Sequence, residues 1–229
     1  MYVVQSWHEP FCLGIGWLLK AKKLIEGLKM TTNAKFWFDP SCPWAWMTSR
    51  WILNVASQKQ INVEWKIFSL GVLNEGRDLK PDYRERINKT WGPVRVLAAA
   101  KRQKGSEILL PLYTAIGNQF HPGAKPVAKE TVLEALKSIN LDESLIDAYD
   151  NPEFDQDLRD STKEALDLVG SDVGTPVISV EGVAFFGPVI TPAPKGEDAV
   201  KLWDAVVAAA SVPGFFELKR TRTARPIFE

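Results

Sequence analysis

Two kinds of periodicity divide this chain. Residues 35–38 form a short aromatic-rich run, Lys35-Phe36-Trp37-Phe38, and read as a first strand. Residues 43–56 then carry Trp44, Trp51 and Val55 at helical spacing, with Met47 and Ile52 beside them. In residues 61–68, Val63, Trp65 and Ile67 alternate with Glu64 and Lys66, the pattern of a half-buried strand. Strand, helix and strand in that order predict a right-handed βαβ unit. Residues 69–77 have no period and read as a loop leaving the end of a parallel strand, the position where ligands sit in open α/β sheets.

Helical periodicity takes over from residue 81 to about residue 172. Pro81-Asp82 opens a helix expected to run through Arg95 towards Arg102, with a kink at Gly92-Pro93 because proline has no N–H to give. Further helices are predicted over residues 107–120, 129–138, 142–149 and 152–169, with a loop at His121-Pro122-Gly123 and a turn at Asn151-Pro152. Residues 177–180 and 183–186 read as strands joined by a tight turn at Glu181-Gly182. Residues 197–210 read as the last helix, with Val200, Trp203, Val206 and Val207 on one side. No repeat and no low-complexity stretch is present.

The junction of first strand and first helix carries the chemistry. It reads Asp39-Pro40-Ser41-Cys42-Pro43-Trp44-Ala45-Trp46. Proline suits the first helical position, where its missing N–H would have no partner. That sets the Cys42 thiol at a helix start, where free N–H groups and the helix dipole favour an anion, and the thiolate is the reactive form. The alternative is a buried structural cysteine, which is common for free thiols. A second signal favours reactivity. Thr175-Pro176 opens the strand at residue 177, and a Cys-Pro helix start early with a Thr-Pro strand start late is the arrangement of the thioredoxin fold, in which that proline peptide bond is cis and faces the cysteine.

From about residue 35 to the end, the chain resembles the DsbA-like, thioredoxin-fold family of actinobacterial mycothiol-dependent oxidoreductases, which includes nitroreductases. The stretches that carry the resemblance are Phe36-Trp37-Phe38-Asp39-Pro40, Ser49-Arg50-Trp51-Ile52-Leu53, Trp91-Gly92-Pro93-Val94-Arg95-Val96, Pro111-Leu112-Tyr113-Thr114-Ala115, Val183-Ala184-Phe185-Phe186-Gly187-Pro188 and Phe215-Phe216-Glu217-Leu218-Lys219-Arg220-Thr221-Arg222-Thr223. The resemblance implies an α/β thioredoxin fold: a mixed central sheet with a large all-helical insertion. Its expected division is a thioredoxin-like domain from residues 33–80 and 173–229, an insertion over residues 81–172, and an N-terminal extension of residues 1–32. It also implies a low-molecular-weight thiol, mycothiol or another, as co-substrate, and a disulfide or small molecule such as a nitroaromatic compound as substrate.

One departure bears on mechanism. Such proteins commonly carry Cys-Pro-Trp-Cys, whereas this chain has Ala45 in the fourth position. Without that resolving thiol, a mixed disulfide on Cys42 has to be resolved by an external thiol, which makes Cys42 the expected catalytic residue of a monothiol oxidoreductase. Kappa-class glutathione transferases and 2-hydroxychromene-2-carboxylate isomerases share the fold and insertion, and use a serine at this position to activate a bound thiol. A transferase or isomerase of that type is the alternative, and a binding protein without thiol reactivity is a third.

Around Cys42, the expected thiol-binding or substrate-binding residues are Pro43, Trp44, Asn74, Tyr83, His121, Thr175 and Pro176. Trp44 is expected at the pocket mouth, and Trp46 in the core. Asn74 is either a turn-former or a ligand contact, the latter because the resemblance lines the pocket with this loop. Tyr83 either faces the same cleft or is a half-exposed helical aromatic. His121 is either a pocket wall or a satisfied cap. Lys219, Arg220, Arg222 and Arg225 in the tail either form a solvated face or engage an acidic ligand or a partner protomer.

Composition narrows the remaining classes. In 229 residues, 28 basic and 28 acidic side chains balance, so nothing in the charge points to nucleic acid. Two cysteines, Cys12 and Cys42, do not staple a fold of this size and suggest a reducing, cytoplasmic setting. With His8 and His121 they stand at no metal spacing, so no metal is expected. Related proteins dimerise, and apolar Phe215-Phe216 suits the interface of a homodimer. Residues 11–19 are apolar but too short to span a bilayer, and the segment before them has Glu9 and no basic stretch, so no stable membrane insertion is expected. Residues 18–30 read as a weak basic amphipathic helix or as lying upstream of a natural start at Met30.

Overall fold

A computed structural model describes residues 31–228, so residues 1–30 of the expected N-terminal extension, with Cys12, lie outside the described residues, whereas Thr32 of that extension opens the first strand. Strand β1 (Thr32–Phe38) leads through a turn into α1 (Pro43–Ala56), and β2 (Ile61–Ile67) follows. Helices α2 (Leu70–Leu73), α3 (Pro81–Lys89), α4 (Trp91–Lys104), α5 (Leu109–Phe120), α6 (Lys129–Ser138) and α7 (Asp155–Val169) come next, with 3-10 segments at Ser106–Ile108, Glu143–Asp150 and Pro152–Phe154. The chain then returns to β3 (Val177–Val180) and β4 (Val183–Phe186) and closes with α8 (Gly196–Ala210).

The four strands lie in the order β2-β1-β3-β4. β1 pairs parallel with β2, Phe36 opposite Trp65, and antiparallel with β3, Phe36 opposite Ile178. β3 and β4 form an antiparallel hairpin. The sheet is therefore mixed, as the thioredoxin fold requires.

Alternation along β1 sorts its side chains between two cores. Phe36 and Phe38 belong to the larger core, with Trp46, Trp51 and Ile52 of α1, Trp65 of β2, and Leu112 and Tyr113 of α5. Trp37 belongs to a smaller core with Phe68, Val177 and Ala165 of α7. The Phe38 and Tyr113 rings stack with centroids 3.9 Å apart, so α5 packs directly on the strand that ends at the Cys42 turn. Trp51 Nε1 donates to the Ala199 carbonyl at 2.9 Å and its ring lies 6.0 Å from Trp203, fastening α8 to α1. Burial of aromatics on this scale is the main stabilising term of such a core.

Several boundaries differ from the sequence expectation, each for a local reason. β1 begins at Thr32 rather than residue 35, because pairing with β2 continues to Thr32 opposite Ile61. The presumed loop at residues 69–77 contains helix α2, capped by the Ser69 hydroxyl on the Val72 N–H at 3.2 Å. The single kinked helix expected from residue 81 is two helices, α3 and α4, that meet at Thr90. Pro93 lies in the first turn of α4, where its missing N–H leaves no bond unmade, so it does not kink the helix. The segments at residues 142–149 and 152–154 are 3-10 rather than α-helical. Gly92 is needed there for space: a Cβ would meet the Tyr149 ring at 2.3 Å.

Candidate active site

The site begins with why the β1–α1 turn holds its shape. Asp39 is fully buried, and its carboxylate accepts from the Ser41 N–H through Oδ1 and from the Leu70 N–H through Oδ2, both at 2.8 Å. It thus joins the Cys42 turn to the start of α2. The Cys42 N–H donates to the Asp39 carbonyl at 3.0 Å. From the other side, His121, at the C-terminal cap of α5, places Nε2 2.9 Å from the Pro40 carbonyl. A carbonyl only accepts, so Nε2 carries the proton. The turn is therefore held from β2's end and from α5 at once.

Cys42 is the N-cap of α1, with Pro43 directly inside the helix. Its Sγ accepts from the Ala45 N–H at 3.5 Å and donates to the Thr175 carbonyl at 3.4 Å. Ala45 is fully buried, so the position of a second thiol is occupied by a methyl group under the sulfur's own helix turn. The Thr175–Pro176 peptide is cis, and Thr175 is tied to β1 by its hydroxyl on the Trp37 carbonyl at 3.2 Å. Cis bonds also occur at Gly187–Pro188 and Thr191–Pro192. The former segment is fastened to α1, where the Thr48 hydroxyl donates to the Pro188 carbonyl at 2.7 Å.

Electrostatics correct one expectation. The helix start was expected to favour a thiolate, yet burial pushes the Cys42 thiol up to about 12. Cys42 is only 7% exposed. Against desolvation stand the Ala45 and Trp44 N–H groups and the Arg222 guanidinium, which pull the value down, while the Asp39 carboxylate pushes it further up. Closed in this way, the site holds a thiol. Burial likewise raises Asp39 from 3.8 to about 7, against the pull of its two N–H donors. Burial lowers His121 from 6.5 to about 4, the Pro40 bond opposing and Arg50 assisting. His121 is therefore neutral at pH 7 and acts as a donor.

A ring of aromatics forms the floor. Trp46, 3% exposed, lies 5.5 Å from the His121 ring and 5.8 Å from Tyr113. Arg50 lies over Trp46, with Cζ 4.0 Å from the ring centroid, and donates to the hydroxyls of Ser49 and Thr114. Gly117 of α5 lets Trp46 approach, since a Cβ there would meet the ring at 2.2 Å. Trp44 is half-buried, and Arg222 from the C-terminal segment places its Cζ 5.3 Å from that ring. The Phe228 ring lies tilted against His121, with centroids 5.3 Å apart.

The fold thus brings Cys42, Pro43, Trp44, Thr175, Pro176 and His121 together. Asn74 is buried at the C-cap of α2, where its Nδ2 donates to the Leu70 carbonyl at 2.8 Å. Tyr83 is 41% exposed on α3, and Arg86 of the same helix lies over its ring at 5.6 Å. Three residues to which sequence reasoning gave no site role, Asp39, Arg50 and Phe228, stand around the turn, and Arg222 from the basic tail joins them. Asp39 had a signal: an aspartate just before a turn bonds the backbone two residues on. Nothing local marks Arg50, Arg222 or Phe228. Among the described residues, no group of three or more His, Cys, Asp or Glu side chains is placed to hold a metal, and no helix is long and apolar enough to cross a membrane.

Comparison with known proteins gives a family and a fold. The family described as Rv2466c-like, mycothiol-dependent nitroreductase Rv2466c, matches residues 41–220. A Mycobacterium tuberculosis (strain ATCC 25618 / H37Rv) protein described as uncharacterized protein Rv2286c is 31% identical over 194 residues, 84% of this chain and 83% of that protein. Among solved structures, a "probable DsbA oxidoreductase SCO1869" from Streptomyces coelicolor superposes with a TM-score of 0.55 at 17% identity, over 84% of this chain and 94% of that one. The "cytosolic disulfide reductase DsbM" of Pseudomonas aeruginosa with GSH gives 0.51 at 13% identity, over 77% and 99%. At these identities the two structures speak for the fold.

Proposed function

The chain belongs to the Rv2466c-like family of mycothiol-dependent nitroreductases, thiol oxidoreductases of the thioredoxin superfamily, and from that premise we propose that it works with one sulfur. In this reading Cys42 is the exchange centre, mycothiol or another low-molecular-weight thiol is the co-substrate, and a disulfide or a nitroaromatic compound is the substrate. The observation that carries it is the setting of Cys42 Sγ between the Ala45 N–H and the Thr175 carbonyl, with a methyl group where a resolving thiol would stand.

The chemistry follows from that setting. Once deprotonated, Sγ attacks one sulfur of the substrate disulfide. A new S–S bond forms, the old one breaks, and its electron pair leaves on the departing thiolate. The Ala45 N–H stabilises charge on Sγ at the helix start. A molecule of small thiol then attacks the adduct's outer sulfur, leaving with it as a mixed disulfide and returning the electron pair to Sγ, since position 45 offers no sulfur. Pro43, Trp44, Thr175, Pro176 and His121 form the binding surface, with Trp44 as the platform for a flat substrate. Residues 81–172 act as the insertion that borders it. Two cysteines and this chemistry suit a reducing cytoplasm.

One observation favours a second reading. The Cys42 thiol donates to Thr175 and is pushed up to about 12, which suits a group that hydrogen-bonds to a bound thiol, as the serine of kappa-class transferases does, without joining to it. Intact-mass analysis separates the two. Exposure of the protein to mycothiol disulfide is expected to give one adduct on Cys42, absent in Cys42→Ser and released by excess thiol. Binding without an adduct at any pH would overturn exchange in favour of the transferase reading.

A further inference from the structure

The C-terminal segment after α8 has no helix or strand, yet it returns to the active site. Phe215 meets Phe185 of β4 edge-on at 5.8 Å. Thr191, in the segment of the third cis proline, holds the segment twice: its hydroxyl donates to the Arg225 carbonyl at 3.4 Å and accepts from the Ile227 N–H at 2.8 Å. Between these anchors Arg222 lies over Trp44, the residue two beyond Cys42, and beyond them Phe228 lies against His121, which holds the Cys42 turn. Two tail side chains therefore rest on Trp44, in the first turn of the Cys42 helix, and on His121, which bonds the Pro40 carbonyl of the turn.

The same segment is loosely buried. Phe216 is 86% and Leu218 89% exposed, and among the described residues the anchors are two hydrogen bonds at the Thr191 hydroxyl, one donated and one accepted, and a few ring contacts. Segments with few buried apolar contacts and exposed bonds are the ones that open locally at small free-energy cost. Among the described residues, no carboxylate lies within ion-pair distance of Arg222. The charge that would complement it develops on Cys42, and the guanidinium already favours the thiolate there. Trp44 provides the seat that keeps this cation near the sulfur.

We propose that residues 215–228 form a strap across the Cys42 site and that Arg222 on it is a positioning residue, holding a cation over Trp44 where it stabilises the Cys42 thiolate and the thiolate that leaves during exchange. This rests on Cys42 being a reactive thiol. The strap has two effects of opposite sign. It shields the sulfur from solvent and reagent, and it brings a positive charge that favours the anionic form against the burial that opposes it.

The test measures alkylation of Cys42 by iodoacetamide against pH at low ionic strength, with peptide mapping to separate Cys42 from Cys12. The thiolate displaces iodide, so the midpoint of the profile reports the thiolate population. Arg222→Gln is expected to raise the midpoint by roughly 0.5 to 1 unit, less than for a buried ion pair because Arg222 is exposed. Arg222→Lys is expected to restore most of it, and added salt to erase the difference. Removal of residues 219–229 is expected to raise the plateau rate at high pH about threefold or more, as shielding is lost. An Arg222→Gln midpoint equal to wild type, with Cys42 reacting in both, would overturn the positioning role. An unchanged plateau in the truncated protein would overturn the strap. Failure of Cys42 to react in every variant, up to the highest pH, would sink the exchange reading itself.

Discussion

The Cys42 turn and the C-terminal segment border the same sulfur and are built in opposite ways. The turn is buried, and nearly every polar group in it is tied: Asp39 to two backbone N–H groups, Pro40 to His121, Cys42 to Thr175 and Ala45. The segment is exposed and rests on two hydrogen bonds from Thr191 and the faces of Trp44 and His121. The rigid side fixes where the sulfur points, and the soft side decides how much water and charge reach it. A buried sulfur is well placed and poorly ionised, so a site of this kind depends on its soft wall to become reactive.

The sharpest test of the rigid side is loss of the sulfur itself. Cys42→Ser is expected to abolish adduct formation with mycothiol disulfide completely, read by intact mass, while leaving the fold in place because a hydroxyl can make the same two contacts. A residual adduct in this variant would move the chemistry to Cys12.

Next in size is a pH effect written into the turn. The folded-state value of Asp39 is raised, from 3.8 to about 7, so its contribution to stability is complete below about pH 4 and is lost as pH rises through 7. The value of His121 is lowered, from 6.5 to about 4, so its contribution is complete above pH 6.5 and is lost as pH falls through 4. The two slopes oppose each other between about pH 4 and 6.5, on the order of 4 kcal/mol for Asp39 and 3 kcal/mol for His121. Urea midpoints of the wild type should therefore vary little across that window. Asp39→Asn should make stability rise with pH there, and His121→Gln should make it fall. Parallel profiles for all three proteins would show that the turn is not the buried unit described above.

A smaller loss is expected from Gly117→Ala. The added methyl group would meet Trp46 at 2.2 Å, and because the ring is packed between His121, Tyr113 and Arg50 it has little room to move. A destabilisation of about 1–3 kcal/mol, with altered tryptophan fluorescence, is the expected result. The smallest effect belongs to the soft side. Deleting residues 219–229 removes no fully buried side chain among the described residues and should cost less in thermal melts than Gly117→Ala. A loss comparable to that of Gly117→Ala would erase the contrast between the two walls.

Much of the scaffold was legible from pattern alone. Helix α1 and strands β3 and β4 fall where periodicity and the Glu181-Gly182 turn place them. These are elements whose side-chain period, proline positions and turn residues agree with one another, so local rules and tertiary packing demand the same answer. The helices after residue 81 were legible as helices but not in their joints. Whether Pro93 kinks a helix or opens one depends on whether the preceding residues can turn at Thr90, and that is settled by packing such as Tyr149 on Gly92.

The site divides along the same line. The sequence by itself determined that a thiol starts a helix, that proline follows it, that a Thr-Pro step comes later and that no second thiol stands at position 45. Those are properties of neighbours in the chain. Only the tertiary structure decided the state of that thiol. Helix-start logic alone predicts a thiolate. Desolvation, a through-space quantity set by every group packed around Cys42, outweighs it and pushes the sulfur up to about 12. The carboxylate, imidazole and guanidinium that act on the turn come from Asp39, His121 and Arg222, two of them about eighty and one hundred and eighty residues away in the chain. Asp39 had a local turn signal and His121 was a pocket candidate, but charge and burial act across space, so nothing in the chain's pattern assigned Arg222 its place or fixed how the three act on the thiol.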